Sequence, residues 1–284
     1  MVEFQVIING LIEGCIFAVI ALSLTLIWGV MQIVNFSQGE YLMLSMYLTY
    51  VLWNFFGFDP LISLLVTVPV FFAFGYFTYK VLISRIIGAS FFPQILTTFG
   101  LMIFLRYVAF NIFGPNFRRI LNPIVEGRIS VSGIYLDTAK LCTAIVAIIG
   151  FVALTWFMTK TKTGKALQTT AQDREVALSF GIDVEKMYAL AWGISIALVA
   201  MAGTFISTFR YMDPSLGDAF LLLAFASVIL GGTGSIAGAL LGGVIIGLVE
   251  NLFGFFVFPA YKIVMVYIIF ILTLLLKPEG LIKE

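Results

Sequence analysis

The sequence predicts an all-α integral membrane protein, a bundle of about eight or nine transmembrane helices with broken or half helices and one cytoplasmic helix. Hydrophobic residues make up 61% of the 284 residues and charged residues only 11%, whereas soluble domains carry about 25% charged residues. The mean hydropathy is +1.10. A water-soluble fold could not cover its surface with so few charges, but a protein surrounded by lipid can expose apolar side chains.

Long apolar segments provide the helices, because a spanning helix needs about 20 mostly apolar residues. Five prolines lie at breaks between segments, where a missing N–H group is tolerated: Pro60, Pro93, Pro115, Pro214 and Pro259. Segment 219–231 is short and could be a half helix, so eight or nine spans are predicted. The segments are 5–30, 40–56, 61–82, 93–113, 138–159, 184–208, 219–231, 236–254 and 259–276.

Charge and composition exclude several classes of function. The net charge of +1 gives no electrostatic case for binding nucleic acid, and the absence of histidine excludes a histidine proton relay. Cys15 and Cys142 lie in apolar runs and are interpreted as small buried hydrophobes rather than metal ligands or a disulfide. A serine or cysteine nucleophile would lack a histidine partner. No catalytic or metal site is therefore predicted.

Basic residues flanking the helices predict the orientation, because cytoplasmic loops are enriched in lysine and arginine. One set of ends carries nine and the other six, and the loop at 160–186 holds five of the nine. We therefore expect this loop and the C-terminus in the cytoplasm and the N-terminus outside. The nine are Lys80, Arg85, Lys160, Lys162, Lys165, Arg174, Lys186, Lys277 and Lys283; the six are Arg118, Arg119, Arg128, Lys140, Arg210 and Lys262.

Two connections are long. The outer one, 114–137, is polar and could lie over an entrance. The inner one is predicted to form a cytoplasmic helix at about 163–181, with Thr163 as its N-cap and Gly181 as its left-handed stop. Asp183 would cap the next spanning helix. Apolar positions recur along one face of the predicted helix at Leu167, Thr170, Ala171 and Leu178.

A polar motif interrupts membrane sequence at Asn35, Phe36, Ser37, Gln38, Gly39 and Glu40. Ser37 and Glu40 have the spacing of a capping box, which predicts a helix beginning at this point. A helix that begins inside a membrane protein tends to line a cavity, so the motif is also a possible part of a transport pathway. We expect the capping role in preference to direct contact with a solute.

Glycines recur every four residues at Gly234, Gly238 and Gly242, and Gly243 and Gly247 continue the pattern. Small residues at this spacing allow two helix backbones to approach closely in lipid. A nucleotide-binding loop would need a preceding strand and a basic residue for phosphate. The run therefore predicts helix packing.

Two charges, Glu13 and Arg106, lie deep in predicted spans. A charge at a helix centre costs about 2.5–3.5 kcal/mol on insertion scales. Their depths below the outer helix ends match, at about 12 and about 10 Å at 1.5 Å per residue, which suggests an ion pair. A local polar contact for each is the alternative. Glu250 and Lys262 form a second candidate pair nearer the outer surface.

Four motifs in order resemble the permease subunits of branched-chain amino acid ABC importers of bacteria, and the shorter of the two permease types in particular. The segment 35–40 is similar to the family pattern Asn-Phe-Ala-His-Gly-Glu, and the run 234–243 to the late glycine helix of the family. Segments 163–167, 171–175 and 181–183 resemble its cytoplasmic loop, and 277–281 its C-terminal motif. Departures at Gln38, Glu279 and Glu13 leave the solute open, because relatives import urea, short amides or other amino acids.

The resemblance implies a single permease domain over 1–284 with no cofactor of its own. Its partners would be a second related permease, two cytoplasmic ATPases that bind ATP and magnesium, an extracytoplasmic solute-binding protein and the lipid of the bacterial inner membrane. Solute would be branched-chain amino acids. The 163–181 segment would be the coupling helix, in which Asp173, Arg174 and Glu175 face the ATPase while Ala171, Ala177 and Gly181 permit close approach.

Two rival interpretations stay open on the sequence. A stand-alone secondary transporter or channel would use the intramembrane charges to bind a coupling ion and would need no ATPase. A membrane scaffold without transport activity would explain neither the broken helices nor the cytoplasmic helix. An amphipathic segment lying on lipid headgroups is the alternative for 163–181, but its apolar face is thin, which favours protein contact.

Overall fold

A computed structural model describes residues 2–131, 134–277 and 279–282. Two residues used above lie outside the described residues: Lys283, counted with the cytoplasmic charges, and Pro278, part of the C-terminal motif.

The described residues form a helical bundle, which confirms the predicted fold class. Seven helices among them are long and apolar enough to cross a membrane. Two further helices of the bundle, α2 with 19 residues and α9 with 16, do not meet that description. The helices are α1 (Val2–Met31), α2 (Gln38–Phe56), α3 (Pro60–Val81), α4 (Phe91–Phe113), α5 (Thr138–Lys160), α6 (Lys162–Gln172), α7 (Arg174–Ser179), α8 (Val184–Ile206), α9 (Leu216–Gly231), α10 (Ile236–Phe256) and α11 (Lys262–Leu276). A hairpin of β1 (Arg128–Val131) and β2 (Ile134–Asp137) lies before α5, and short 3-10 segments lie at Ile83–Ile86 and Pro259–Tyr261.

Capping residues account for the main helix boundaries. Pro60 begins α3 where no N–H is needed, and the Asp59 carboxylate accepts from the N–H of Leu61 at 2.9 Å. Asp137 caps α5 and Asp183 caps α8, the latter as predicted. Gly57 ends α2 with a φ of 68°, a left-handed conformation that glycine adopts without strain.

The centre of the bundle is formed by α1 and α8, of which 78% and 72% of the spanning residues are buried. At the periphery, α11 is only 6% buried. Large apolar side chains lie exposed on α3, α4, α5 and α11. Such a surface is compatible with lipid, which removes the need for a polar exterior.

The glycine run lies against two different helices. A Cβ on Gly238 would lie 2.5 Å from the carbonyl oxygen of Gly231, and one on Gly242 would overlap the Ser227 carbonyl, both at α9. Gly243 and Gly247 instead face α1, where Gly14 approaches the α10 backbone. Gly234 adopts a φ of 93° beyond the end of α9, and a Cβ there would lie 3.8 Å from the Cα atom of Gly29. Close helix approach therefore occurs on both faces of α10.

The element that is predicted to lie in the cytoplasm consists of two helices rather than one. The predicted helix 163–181 is interrupted at Asp173, whose carboxylate accepts from the N–H groups of Glu175 and Val176 and so caps α7. The predicted N-cap Thr163 is also wrong: Thr161 caps α6, its Oγ1 accepting from the N–H of Gly164 at 2.9 Å. The chain breaks here because the Asp173 carboxylate accepts from the N–H groups two and three residues further on. Gly181 has a φ of 75°, as predicted for the stop.

Replacing Thr161 with alanine should lower the free energy of unfolding by about 1 kcal/mol, because the N–H of Gly164 loses its acceptor. Thr163→Ala is the matched control and should change the free energy by less than about 0.5 kcal/mol. Thermal unfolding of the two purified variants in detergent makes the comparison. An equal loss in both variants would contradict the assignment of the cap to Thr161.

The connection 114–137, which is predicted to lie on the outer side, is tied to the bundle by several hydrogen bonds. Arg118 and Met212 exchange backbone hydrogen bonds of 3.0 and 2.9 Å, and the Asp59 carboxylate accepts from the N–H of Ile124 at 2.7 Å. The pairing of Arg118 with Met212 places the start of the connection next to residues 213–215, which precede α9.

Candidate functional site

The second helix begins inside the bundle. The Gln38 side chain donates to the Ser195 hydroxyl at 3.1 Å, and Ser195 lies about midway along α8. About eleven residues of α8 on each side place this point about 16 Å from either end of that helix. The N-terminus of α2 therefore lies near the middle of the predicted membrane layer.

A buried polar network surrounds this start. Asn35 donates to Gln38 Oε1 at 2.7 Å, and Gln38 Nε2 donates to the Ser23 hydroxyl at 2.7 Å. The Ser195 hydroxyl donates to the Ser23 carbonyl oxygen at 2.6 Å. All four side chains are fully buried. The network links α1, α2 and α8, and its members satisfy one another as buried polar groups must.

The predicted capping box is wrong. The Ser37 hydroxyl donates to Asn35 Oδ1 at 2.6 Å and makes no side-chain cap to α2. Glu40 turns away from the backbone toward Arg106. Glu40 neutralises Arg106 instead of capping α2, because an arginine within a membrane-spanning helix is costly unless it is paired.

The charged cluster consists of Glu40, Arg106 and Asp218. Arg106 Nε and Nη2 donate to Glu40 Oε1 at 3.1 and 2.5 Å, and Nη2 also contacts Asp218 Oδ1. The Glu40 side chain is 1% exposed, that of Arg106 24% and that of Asp218 46%. The cluster therefore has a buried end and an accessible end.

The predicted ion pair between Glu13 and Arg106 is wrong. Glu13 Oε1 accepts from Lys140 Nζ at 2.5 Å, and Glu13 Oε2 accepts from Asn251 Nδ2 at 2.8 Å. Equal depths along two helices do not establish contact, because α4 packs against α2 whereas α1 packs against α5 and α10. The second predicted pair is confirmed, with Lys262 Nζ at 2.6 Å from Glu250 Oε1.

Two helix N-termini meet beside the charged cluster. A Cβ on Gly39 would overlap the carbonyl oxygen of Gly217, so the first turns of α2 and α9 are in backbone contact. Glu40 and Asp218 are the acidic residues of these turns, where negative charge is stabilised by the helix dipoles. Arg106 bridges both carboxylates.

A cavity of about 360 Å³ opens beside Arg106. A carboxylate at Asp213 and a hydroxyl at Ser215 line it together with the guanidinium. Its remaining walls are Tyr107, Phe110, Pro115 and Pro214. A second cavity of about 370 Å³ lies beside Glu13 and Lys140. Both are open to the surface.

The residues predicted for coupling have three different environments. Arg174, Glu175 and Gly181 are exposed, and a Cβ on Gly181 would contact nothing within 4 Å. Ala171 is half-buried. Ala177 is fully buried within this chain, so it cannot face a partner, and its predicted role in close approach is wrong.

Exposed apolar side chains accompany the charged ones on α7 and the turn after it. Leu178 is 53% exposed and Phe180 77% exposed. Meanwhile α6 packs on α5, α1 and α8 through buried Leu167 and Thr170. The remaining residues form an exposed face on this firmly packed unit. We define this exposed face as Arg174, Glu175, Val176, Leu178 and Phe180.

Sequence reasoning missed several members of the polar sites. Asp218 lies just before the predicted apolar segment 219–231, whereas α9 begins at Leu216 and includes it. Lys140 was counted only as a flanking charge. Ser23, Ser195 and Asn251 carry no signal in a helix sequence, because single polar residues on apolar helices are unremarkable until their neighbours are known.

Known proteins match this chain over nearly its whole length. The family described as branched-chain amino acid transport system / permease component matches residues 6–274. The high-affinity branched-chain amino acid transport system permease protein BraD of Pseudomonas aeruginosa is 30% identical over 98% of this chain and 95% of its own. The probable branched-chain amino acid transport permease protein LivH of Methanocaldococcus jannaschii is 31% identical over 98% and 92%.

A solved structure shares the fold. PsaBC from Streptococcus pneumoniae in complex with Fab aligns with a TM-score of 0.50 at 15% identity, covering 95% of this chain and 91% of that one. At this identity the likeness concerns the arrangement of helices alone.

Proposed function

Because this chain belongs to the family of branched-chain amino acid transport permease components, we propose that it is the membrane subunit of an ATP-driven importer for leucine, isoleucine and valine. In this proposal a second related permease completes the pathway and two cytoplasmic ATPases, binding ATP and magnesium, drive it. An extracytoplasmic binding protein delivers the solute. The chain lies in the inner membrane with its N-terminus outside and its C-terminus in the cytoplasm.

The observation that supports this proposal best is the exposed face of the α6–α7 unit. It combines charged Arg174 and Glu175 with exposed Leu178 and Phe180. Arginine and phenylalanine are enriched at protein interfaces, where a polar rim surrounds a more apolar core. Asp173 contributes indirectly, since it caps α7 and so holds this face in place.

Two departures from the family pattern no longer argue for a different solute. Gln38 is fully buried and its hydrogen bonds go to neighbouring helices. Glu13 is bound by Lys140 and Asn251. Both residues have structural partners within this chain, so neither favours urea or an amide over an amino acid.

The test is reconstitution of the permease pair, its ATPases and its binding protein in lipid vesicles. Leucine uptake should require ATP and the loaded binding protein, and Phe180→Ala should lower uptake and recovery of the ATPase severalfold, because an aromatic anchor contributes about 2 kcal/mol or more at a hot spot. Total permease should stay near normal, since the Phe180 side chain is 77% exposed.

The matched control is Phe55→Ala, which removes an equally exposed phenylalanine, at 75%, from the opposite end of the bundle. It should leave ATPase recovery unchanged. Uptake of leucine without ATP by the lone chain would favour the secondary transporter and contradict the proposal. If the Phe180→Ala variant recovered as much ATPase as the wild type, only the assignment of this face as the ATPase-docking surface would be contradicted.

A further inference from the structure

The cavity beside Arg106 lies where a solute from outside would arrive. Pro115 follows the end of α4, and residues 213–215 precede α9. In the predicted orientation both segments are on the outer side. The cavity thus connects this side with the level at which α2 and α9 begin.

Arg106 has donors to spare in this cavity. A guanidinium carries five N–H donors. The hydrogen bonds of Arg106 to Glu40 and Asp218 use Nε and Nη2, and within the described part of the chain Nη1 makes none. The side chain is 24% exposed and lines the cavity. Nη1 can therefore receive the carboxylate of a small molecule.

Asp213 supplies the opposite charge. Its Oδ1 accepts from the N–H of Ser215 at 2.9 Å and from the Ser215 hydroxyl. Among the described residues Asp213 Oδ2 has no hydrogen-bond partner, and the residue lines the same cavity as Arg106. A half-buried carboxylate with one oxygen available is a suitable acceptor for an ammonium group.

The remaining walls are apolar. Tyr107 is 61% and Phe110 44% exposed, and Pro115 and Pro214 complete the lining. The volume of about 360 Å³ falls within the range of about 300–1,000 Å³ for small-molecule sites. The cavity therefore offers one cation, one anion and a hydrophobic wall within a single small space.

We propose that this cavity binds the transported solute as an intact zwitterion, a free α-amino acid with an apolar side chain. Its carboxylate is bound by Arg106 Nη1, its ammonium by Asp213, and its side chain lies against Tyr107 and Phe110. This assignment rests on the function proposed above and extends it, because it places solute recognition in the permease itself.

The charge of the surroundings favours a zwitterion over simpler ligands. A carboxylic acid without an ammonium group leaves Asp213 Oδ2 without its ligand. An amine without a carboxylate leaves Arg106 Nη1 without its ligand. Only a molecule with both charges satisfies both groups, since an unmatched polar group in a site costs affinity.

The test is equilibrium binding of radiolabelled L-leucine to the permease–ATPase complex in nanodiscs without binding protein. Leucine should bind, and neither 3-methylbutan-1-amine nor 4-methylpentanoate, which lack its carboxylate and its ammonium, should compete at tenfold the leucine concentration. If either analogue competed as strongly as leucine itself, the group that this analogue lacks would not be bound as proposed, and the assignment would be overturned.

Variants locate the site. Asp213→Asn should weaken leucine binding at least tenfold, and Phe110→Ala should weaken it at least threefold. The controls are Glu185→Gln, an exposed carboxylate at the other end of the molecule, and Phe104→Ala, an exposed phenylalanine elsewhere on α4. Both controls should bind as the wild type does. If the Asp213 and Phe110 variants bound leucine with the affinity of the wild type, the proposed site would be overturned.

Failure of this assignment is distinguishable from failure of the proposed function. If the full wild-type system takes up leucine with ATP but the complex without binding protein binds none, the assignment alone falls. If the full system transports no branched-chain amino acid, the proposed function falls and this assignment falls with it.

Discussion

Arg106→Leu should destabilise the protein by about 3 kcal/mol or more, because removing one partner of a buried pair leaves the other charge uncompensated. Glu40 is 1% exposed, and its Oε2 already lacks a hydrogen-bond partner within the described residues. Loss of the guanidinium would leave the whole carboxylate without a cation. Yield of monodisperse protein and thermal unfolding in detergent measure the effect.

The control for this prediction is Lys80→Ala. Lys80 and Glu185 lie 3.9 Å apart with side chains 42% and 68% exposed, and such exposed pairs contribute between about 0 and 1 kcal/mol. Combining Glu40→Gln with Arg106→Leu should recover part of the loss, because the buried charge is then removed as well. Strict additivity of the two single losses would show that the pair is not coupled.

Gly39→Ala should prevent normal packing of α2 against α9. The added methyl group would overlap the carbonyl oxygen of Gly217, a backbone atom that cannot turn aside. Overpacking of this kind costs about 1–3 kcal/mol and sometimes more. We expect a clear drop in the unfolding temperature and in recovery of the permease.

The matched control is Gly100→Ala, the same substitution within α4. A Cβ on Gly100 would meet nothing within 4 Å, and alanine is favoured over glycine in a helix by about 0.8–1.0 kcal/mol. This variant should be as stable as the wild type or more so. If Gly39→Ala behaved like Gly100→Ala, the contact between the two helix starts would not exist as described.

Local signals were reliable where one residue acts on its own backbone. Gly181 as a left-handed stop and Asp183 as a cap follow from conformational preferences that act over a few residues. The wrong predictions of helix boundaries arose because neighbouring residues compete to cap the same helix. Thr161 rather than Thr163 caps α6, and Asp173 divides the predicted helix 163–181 by capping α7.

Contacts between helices were much less predictable. Glu13 and Arg106 were matched by depth, yet Glu13 lies beside Lys140 and Arg106 beside Glu40 and Asp218. Depth is a property of one helix, whereas a partner depends on which helices adjoin. Glu250 and Lys262 were predicted correctly because the two helices are consecutive and joined by a short turn.

By itself the sequence determined that this chain is a helical membrane bundle, roughly where its helices lie and which residue motifs it shares with a transport family. These properties depend on apolar length, on short-range preferences and on residue identity, all of which can be read along one chain. Only the tertiary structure decided that α2 and α9 begin face to face, that Arg106 joins them and that Asp213 shares its cavity. Those relations arise from packing between distant segments, and in helices of nearly uniform hydrophobicity no residue pattern specifies which faces meet.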